Sequence, residues 1–298
     1  MKLLFASNDE IALSVLDELK PDAVLTTLSN PTGRKKRLNP VKVWALENNK
    51  KCFEVEHLLS SEREEIATYG FDTLLSFSFS KIFGPKFLSI FKNGAYNIHP
   101  SPLPLLRGPS PIQNAILEGW SETEVVLQTL SLKMDEGDII NRISVPIDER
   151  DDYISLSKRV SECAKLLASS FSSSISEGER KKQTGEATYT RLFTKEDGRV
   201  NFEEGELTER KIRAFSVFPK VYAFWKDKSV VFTSSTFEKA EVKEKCGKVV
   251  SFSKDKGFKI AFKDGYLYLS RLCLQAKTEC DAVSFNNGYK NFVGSTLT

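Results

Sequence analysis

The cysteine content of this 298-residue chain gives no support to a metal site or a disulfide framework. The chain has five cysteines, an odd number, and no two of them have CxxC spacing. Structural zinc sites and disulfide scaffolds depend on closely spaced or paired cysteines. We therefore expect reduced, scattered thiols and no metal.

Long apolar runs are also missing from the sequence. A membrane-spanning helix needs about 18 to 20 predominantly apolar residues in a row, and no such run is found. A secretory signal peptide is not expected either, because Asp9 and Glu10 come too early in the chain. These absences predict a cytoplasmic protein that does not associate with membranes.

Two further absences narrow the possible functions. No GxGxxG fingerprint follows the first apolar run, so a nicotinamide-dependent oxidoreductase is a weak alternative. Histidine is rare, with only His57 and His99. We interpret His57, which lies between predicted elements, as structural or exposed. His99 directly follows an apolar run, and its position alone fits a functional and a structural role equally well.

The charge that is present is unevenly distributed along the chain. The formal net charge is only +3, but residues 200–298 carry 17 Lys and Arg against 12 Asp and Glu. A basic C-terminal part indicates a polyanionic partner, and a generally solvated surface explains the same excess. The charge by itself leaves both interpretations open.

Apolar runs alternate with helical patterns in the first part of the chain. This alternation predicts parallel βαβ units, and therefore an α/β domain with a buried parallel sheet. Functional groups of such domains gather at the carboxyl ends of the strands. The predicted strands are residues 2–6, 23–28, 73–79, 95–98, 124–130 and 139–145, and the predicted helices are residues 10–19 and 154–175.

The pattern changes after a polar, Gly-containing stretch that begins near Glu177. Short runs rich in Val, Phe and Tyr follow, separated by Lys, Asp and Gly turns, which is typical of a small β-barrel or sandwich. We predict a catalytic domain at residues 1–179, a linker at 180–200 and a second domain at 201–298. The predicted strands of the second domain are residues 221–225, 229–232, 248–252, 258–262 and 266–272, after a short helix at 207–215.

The most informative segment follows the predicted strand at residues 95–98. Asn97 and His99 are two residues apart, so their side chains share one face of a strand. Five prolines among the twelve residues after His99 fix backbone angles and stiffen the loop. A polar pair on a rigid loop at a strand end is a suitable preorganised site. The full pattern is Asn97-x-His99-x-Ser101-x-Leu103-Pro104-x-x-Arg107-Gly108-x-x-Pro111-Ile112.

An acidic turn, KMDEGD, lies downstream at residues 133–138. It reads as an ordinary turn, but it can also bring a carboxylate to the imidazole of His99. In acyl transfer, an amide N–H and an imidazolium can donate to a carbonyl oxygen that gains negative charge. A carboxylate can hold the imidazole protonated, or accept a proton from an attacking amine. Asn97, His99 and an Asp of this turn are therefore the candidate catalytic groups.

The spacing of this motif, followed by an Asp-x-Gly-Asp turn, resembles the formyltetrahydrofolate-dependent formyltransferases, and among them most of all the members that act on methionyl-tRNA. The resemblance covers most of the chain, since segments near Pro40, Ile212 and Gly265 also match. It implies a Rossmann-like parallel-sheet α/β formyltransferase domain followed by an OB-like β-barrel. It also implies a monomer that transfers formyl directly from 10-formyltetrahydrofolate, without a metal.

The resemblance assigns roles by position. Asn97 and His99 match the residues that polarise the formyl oxygen in the family. Asp135 matches the residue that keeps the histidine correctly charged and helps proton transfer from the amine. The folate is expected near residues 71–83. One departure from the family is the turn after the first strand, which usually contains Gly and here reads SND at residues 7–9.

A basic run lies in a loop between a Gly and a Pro, at Arg34, Lys35, Lys36 and Arg37. Four charges in a row are usually a solvated surface, but the tRNA-directed members of the family carry a basic loop at this place. Phosphate contacts give affinity that depends on salt and not on sequence. We therefore predict that these four residues bind the acceptor end of initiator Met-tRNA.

Two other functions remain as alternatives. A sugar-nucleotide N-formyltransferase would share the Asn, His and Asp chemistry and the OB-like tail, although a four-charge run is more than one diphosphate needs. A non-catalytic RNA-binding protein is the second alternative. The presence of Asn97, His99 and Asp135 together argues against lost chemistry.

Overall fold

The computed structural model describes residues 1–28 and 38–298. The chain divides into two compact units. The first comprises residues 1–111, 122–146 and 157–191, and the second comprises residues 112–121, 147–156 and 192–298. In the described part of the chain, no helix is long and apolar enough to span a membrane.

The first unit is built on a mixed sheet, with seven strands in the described residues. They are β1 (Leu3–Ala6), β2 (Ala23–Thr27), β3 (Lys51–Val55), β4 (Thr73–Phe77), β5 (Ala95–His99), β6 (Glu122–Thr129) and β7 (Ile139–Pro146). The strand order is β3-β2-β1-β4-β5-β6-β7. Strands β1 to β5 pair in parallel, whereas β6 and β7 are antiparallel to their neighbours. The order reverses between β1 and β4, where doubly wound sheets bind their ligands.

Both faces of the parallel strands are buried. Leu4, Leu25 and Leu74 belong to a core cluster on one face, while their neighbours Phe5 and Val24 are equally buried. Since successive side chains of a strand point to opposite faces, helices and loops must cover both sides of the sheet. The helices that lie wholly or mostly in the first unit are α1 (Leu13–Leu19), α2 (Pro40–Glu47), α3 (Ser60–Thr68), α4 (Pro85–Leu88), α6 (Tyr153–Ser169) and α7 (Phe171–Glu177), whereas α5 (Pro111–Leu117) lies mostly in the second unit.

The prediction of one long helix at residues 154–175 was wrong. The structure has two helices there, α6 and α7, which are interrupted at Ser170. Ser170 has φ −101° and ψ 8°, outside helical geometry, and its hydroxyl donates to Leu167 O at 3.2 Å. Serine hydroxyls compete for backbone carbonyls in this way, which weakens a Ser-rich helix.

The second unit contains an antiparallel sheet. Its strands are β8 (Val221–Trp225), β9 (Lys228–Lys239), β10 (Val249–Ser253), β11 (Gly257–Ala261), β12 (Gly265–Leu274) and β13 (Cys280–Asp281), and its further helices are α8 (Gly205–Ala214) and α9 (Ala282–Gly288). The order is β10-β11-β12-β9-β8, with β13 beside β12. An aromatic cluster of Trp225, Phe258, Phe285 and Phe292 forms much of its core. The predicted class, a parallel α/β domain followed by a β domain, is confirmed.

The carboxyl ends of three strands are joined by Asn8, in the turn that departs from the usual Gly-containing one. Asn8 Oδ1 accepts from the N–H and the hydroxyl of Thr27 at 2.9 and 3.0 Å, and Asn8 Nδ2 donates to Ser80 Oγ at 2.7 Å. The backbone N–H of Asn8 donates to Ser78 O at 3.1 Å. A side chain therefore links the ends of β1, β2 and β4.

We expect Asn8→Ala to lower the free energy of unfolding by about 1 to 3 kcal/mol, because part-buried polar groups of Thr27 lose their acceptor. Urea unfolding followed by circular dichroism measures the change. The matched control is Asn141→Ala, since Asn141 is exposed on β7 and accepts from the N–H of the next residue. A loss no larger than that of the control would contradict the linking role of Asn8.

Candidate active site

Three neighbouring strands place a row of polar side chains beside one another. The register pairs Ser76 of β4 with Asn97 of β5, and Asn97 with Gln128 of β6. Because partners in register face the same side of a sheet, the three side chains form one polar row. Ser76 Oγ donates to Asn97 Oδ1 at 2.8 Å. Gln128 Nε2 donates to the carboxylate of Asp135 at 3.1 Å.

The carboxylate of Asp135 is the meeting point of this row and the loop after β5. The N–H of Gly108 donates to Asp135 Oδ2 at 2.8 Å, and Asn97 Nδ2 lies 3.5 Å from Oδ1. The side chain of Asp135 is only 12% exposed. A carboxylate so far removed from water needs hydrogen-bond donors on both oxygens, and this site supplies them.

The ring of His99 is held between the loop and the turn. Its Nδ1 lies 3.6 Å from Asp135 Oδ2, and its Nε2 lies 3.1 Å from Leu106 O. A carbonyl oxygen can only accept, so Nε2 carries a hydrogen and donates it. Nδ1 faces the carboxylate, and the two groups form an ion pair when the imidazole is protonated.

The orientation of the Asn97 amide follows from its two neighbours. A carboxylate is an acceptor only, so the amide nitrogen must face Asp135, and the amide oxygen then receives the hydroxyl of Ser76. The amide nitrogen has a second N–H. It can be offered to the carbonyl oxygen of a bound molecule.

The backbone of the acidic turn is closely fitted to the end of β6. Asp135 has φ +53°, in the left-handed region that non-glycine residues rarely adopt, and such conformations gather at functional sites. At Gly137, a Cβ atom would lie 1.6 Å from the carbonyl oxygen of Thr129. Asp138 N donates to the hydroxyl of Thr129 at 2.8 Å. Glycine is therefore required for the approach that brings Asp135 to the row.

The structure thus brings Asn97, His99 and Asp135 together, although they come from a strand and from a turn 36 residues beyond His99. Arg34, Lys35, Lys36 and Arg37 lie outside the described residues. Ser76 and Gln128 were not predicted as site residues, because their places in the row depend on strand register. The only sequence signal for Ser76 was its place within residues 71–83, near which the folate is expected.

Two profiles of known families match this chain. The profile described as formyl transferase matches residues 17–170, and the profile of the formyl transferase C-terminal domain matches residues 192–290. The two matches follow the order of the α/β and β parts of the fold. They define the class of the protein as a transferase of a one-carbon group.

Relatives and solved structures narrow the class to a family. The chain is 32% identical to the methionyl-tRNA formyltransferase of Borreliella afzelii (strain PKo), covering 100% of this chain and 98% of the relative. It is 30% identical to the enzyme of the same name from Treponema denticola, covering 98% of each. A methionyl-tRNA formyltransferase structure from Clostridium thermocellum shares the fold, with a TM-score of 0.58, 17% identity, and coverage of 80% and 94%. The chain belongs to the formyl transferase family.

A structure solved with an amino-sugar nucleotide has the same fold. The N-formyltransferase from Helicobacter canadensis, solved with folinic acid and dTDP-3-aminofucose, has a TM-score of 0.63 and 21% identity, covering 90% of this chain and 97% of that structure. An identity this low shows the fold alone, so the choice of amine substrate depends on other observations.

We expect Gly137→Ala to lower the free energy of unfolding by about 1 to 3 kcal/mol, since the turn must move away from β6 to admit a methyl group. Urea unfolding of the purified variant measures the loss. Gly84→Ala is the control, because a Cβ atom there meets nothing within 4 Å. Equal stability of the two variants would show that the protein does not depend on the close approach of Gly137 to the Thr129 carbonyl.

Proposed function

We propose that this protein transfers the formyl group of 10-formyltetrahydrofolate to the α-amino group of methionine on initiator Met-tRNA, for translation initiation. The observation that carries the proposal is the convergence of Asn97, His99 and Asp135 at the end of β5. Full-length relatives named methionyl-tRNA formyltransferase, at 30% and 32% identity, support the choice of tRNA as substrate.

The residues around the end of β4 and β5 suit a folate. Phe79 and Phe83 stack with ring centroids 5.1 Å apart, which offers an aromatic surface for a flat heterocycle. Asn97 offers an amide N–H to a carbonyl oxygen. When bound, 10-formyltetrahydrofolate supplies the activated formyl carbon. The proposed transfer needs no metal, because the amide of Asn97 and the imidazole of His99 are the groups that polarise the formyl carbonyl.

The three residues have separate tasks in the transfer. Asn97 Nδ2 donates a hydrogen bond to the formyl oxygen, and protonated His99 stabilises the negative charge that this oxygen gains. The amine of the substrate must lose a proton as its bond to carbon forms. The carboxylate of Asp135 accepts that proton and holds the imidazole in place through Nδ1. The bond between the formyl carbon and N10 of the folate then breaks, and the proton passes from Asp135 to N10, so that tetrahydrofolate leaves as a neutral amine.

Recognition of tRNA is assigned to the basic parts of the chain. The phosphates of the acceptor end would be contacted by Arg34, Lys35, Lys36 and Arg37. The C-terminal part of the chain, residues 201–298, has a net positive charge and would form an OB-like tRNA-binding domain. The excess of 17 Lys and Arg over 12 Asp and Glu in residues 200–298 supports this assignment. Residues 1–179 form the catalytic domain and 180–200 the linker in this proposal, and the protein is a cytoplasmic monomer.

The experiment that tests the function compares amine acceptors. Purified protein with 10-formyltetrahydrofolate is offered initiator Met-tRNA, elongator Met-tRNA and a dTDP-linked amino sugar, and the formylated product is measured. Rapid transfer to initiator Met-tRNA alone supports the proposal. Transfer to the amino sugar and not to the tRNA would overturn it in favour of a sugar-nucleotide N-formyltransferase.

We expect His99→Ala and Asn97→Ala each to reduce kcat by about 100- to 1000-fold, because each removes one group that stabilises the formyl oxygen. Steady-state kinetics at saturating folate measure the loss. His57→Ala is the control, since the only other histidine is exposed and lies outside the site. A kcat within a few-fold of wild type in either site variant would remove that residue from the chemistry.

Neutralising all four basic residues at positions 34–37 to Gln is expected to raise KM for tRNA and to leave folate binding unchanged. Loss of up to four phosphate contacts also reduces the slope of log KM against log salt concentration. Kinetics at several salt concentrations, with folate titration by fluorescence, measure both effects. Equal damage to tRNA and folate binding would mean that the run has a structural role instead.

A further inference from the structure

The chain segment at residues 181–190 is hydrogen-bonded to two segments that border the candidate active site. Lys181 and Ile139 exchange two backbone hydrogen bonds of 2.8 Å, at the start of β7. Near the other end, Arg107 N donates to Thr188 O at 2.9 Å, and Thr190 N donates to Arg107 O at 2.7 Å. The segment is therefore hydrogen-bonded both to the strand after the acidic turn and to the loop after His99.

Gln183 reaches from this segment into the acidic turn. Its Nε2 donates to the backbone carbonyls of Asp135 and Gly137, at 2.7 and 2.8 Å. Both carbonyls belong to the turn in which Asp135, with its left-handed backbone, presents the carboxylate. The same Nε2 lies 3.4 Å from Oε1 of Gln128, whose own Nε2 donates to that carboxylate.

Arg107 fixes the orientation of the Gln183 amide. Its Nε and Nη2 both donate to Gln183 Oε1, at 3.2 and 2.7 Å, while its Nη1 donates to Glu136 at 3.0 Å. Arg107 is only 8% exposed. A guanidinium can only donate, so the amide oxygen of Gln183 must face Arg107. The amide nitrogen is thereby turned toward the carbonyls of the acidic turn.

We propose that Gln183 is a positioning residue for formyl transfer, which acts through Asp135. It holds the acidic turn by two carbonyls, so that the carboxylate stays in reach of Gly108 N–H and His99 Nδ1. This inference rests on the proposed function for its effect on catalysis. It predicts that the donor half of the amide matters for turnover, and that the acceptor half, which contacts Arg107, matters for stability.

The substitution Gln183→Glu distinguishes the role of the amide NH2, which donates, from that of the amide oxygen, which accepts. The carboxylate keeps an acceptor for Arg107, but it cannot donate to the carbonyls of Asp135 and Gly137 and repels them. Gln183→Ala removes both halves, and Thr184→Ala is the matched control on the exposed neighbour. We expect kcat to fall about 10- to 100-fold in both Gln183 variants, since a displacement of about 1 Å has an effect of this size.

The split between kcat, KM and thermal stability tests the positioning role. In Gln183→Glu, KM for folate and for tRNA should stay within about two-fold of wild type, and the Tm should exceed that of Gln183→Ala, because the contact with Arg107 remains. Thr184→Ala should match wild type in all four quantities. A wild-type kcat in Gln183→Glu would overturn the proposal and leave Gln183 as a support for Arg107 alone.

Hydrogen exchange gives a readout that does not depend on activity. Mass spectrometry of the peptide around residues 131–140 should show exchange about ten-fold faster in Gln183→Ala and Gln183→Glu than in Thr184→Ala, because the turn opens more often. Unchanged exchange would overturn the positioning role. If exchange is faster in the Gln183 variants but the wild-type protein transfers no formyl group to tRNA, the proposed function is rejected. The conclusion that Gln183 holds the acidic turn then still stands.

Discussion

The buried carboxylate of Asp135 is the constraint on which the rest of the site depends. It accepts from Gly108 N–H and from Gln128 Nε2, and it lies beside the amide of Asn97 and the ring of His99. These partners come from two strands and a loop. The carboxylate therefore has all its hydrogen-bond partners only when both strands and the loop are in their native positions. An unpaired carboxylate at this depth would be strongly unfavourable, which couples the geometry of the site to folding.

Much of the fold could be predicted from the sequence because buried strands are continuous apolar runs. Strands β1, β2, β4 and β5 were predicted within two residues of their ends, and β8 at its observed limits. The edge strand β3 was missed, since only Phe53 and Val55 are buried in it. The helix α9 was also missed. Its Phe285 belongs to an aromatic cluster that forms only when distant strands have assembled.

The site was predictable where its residues are close in sequence and not where they are distant. The spacing of Asn97 and His99 placed both on one face of a strand, and the family resemblance supplied Asp135. Gln183 lies in a polar stretch that we predicted as a linker. Its partners are 48 and 76 residues away, at Asp135 and Arg107. No local pattern shows such hydrogen bonds, because polar residues in a turn-rich stretch are ordinarily solvated.

The central claim is that the carboxylate of Asp135 takes part in formyl transfer. Asp135→Asn tests it most directly, since the side chain keeps its shape and loses its charge. The measurement is the single-turnover rate of formyl transfer to initiator Met-tRNA at saturating 10-formyltetrahydrofolate. The account predicts a fall of at least about 100-fold with folate affinity retained. A rate close to that of the wild type would contradict it.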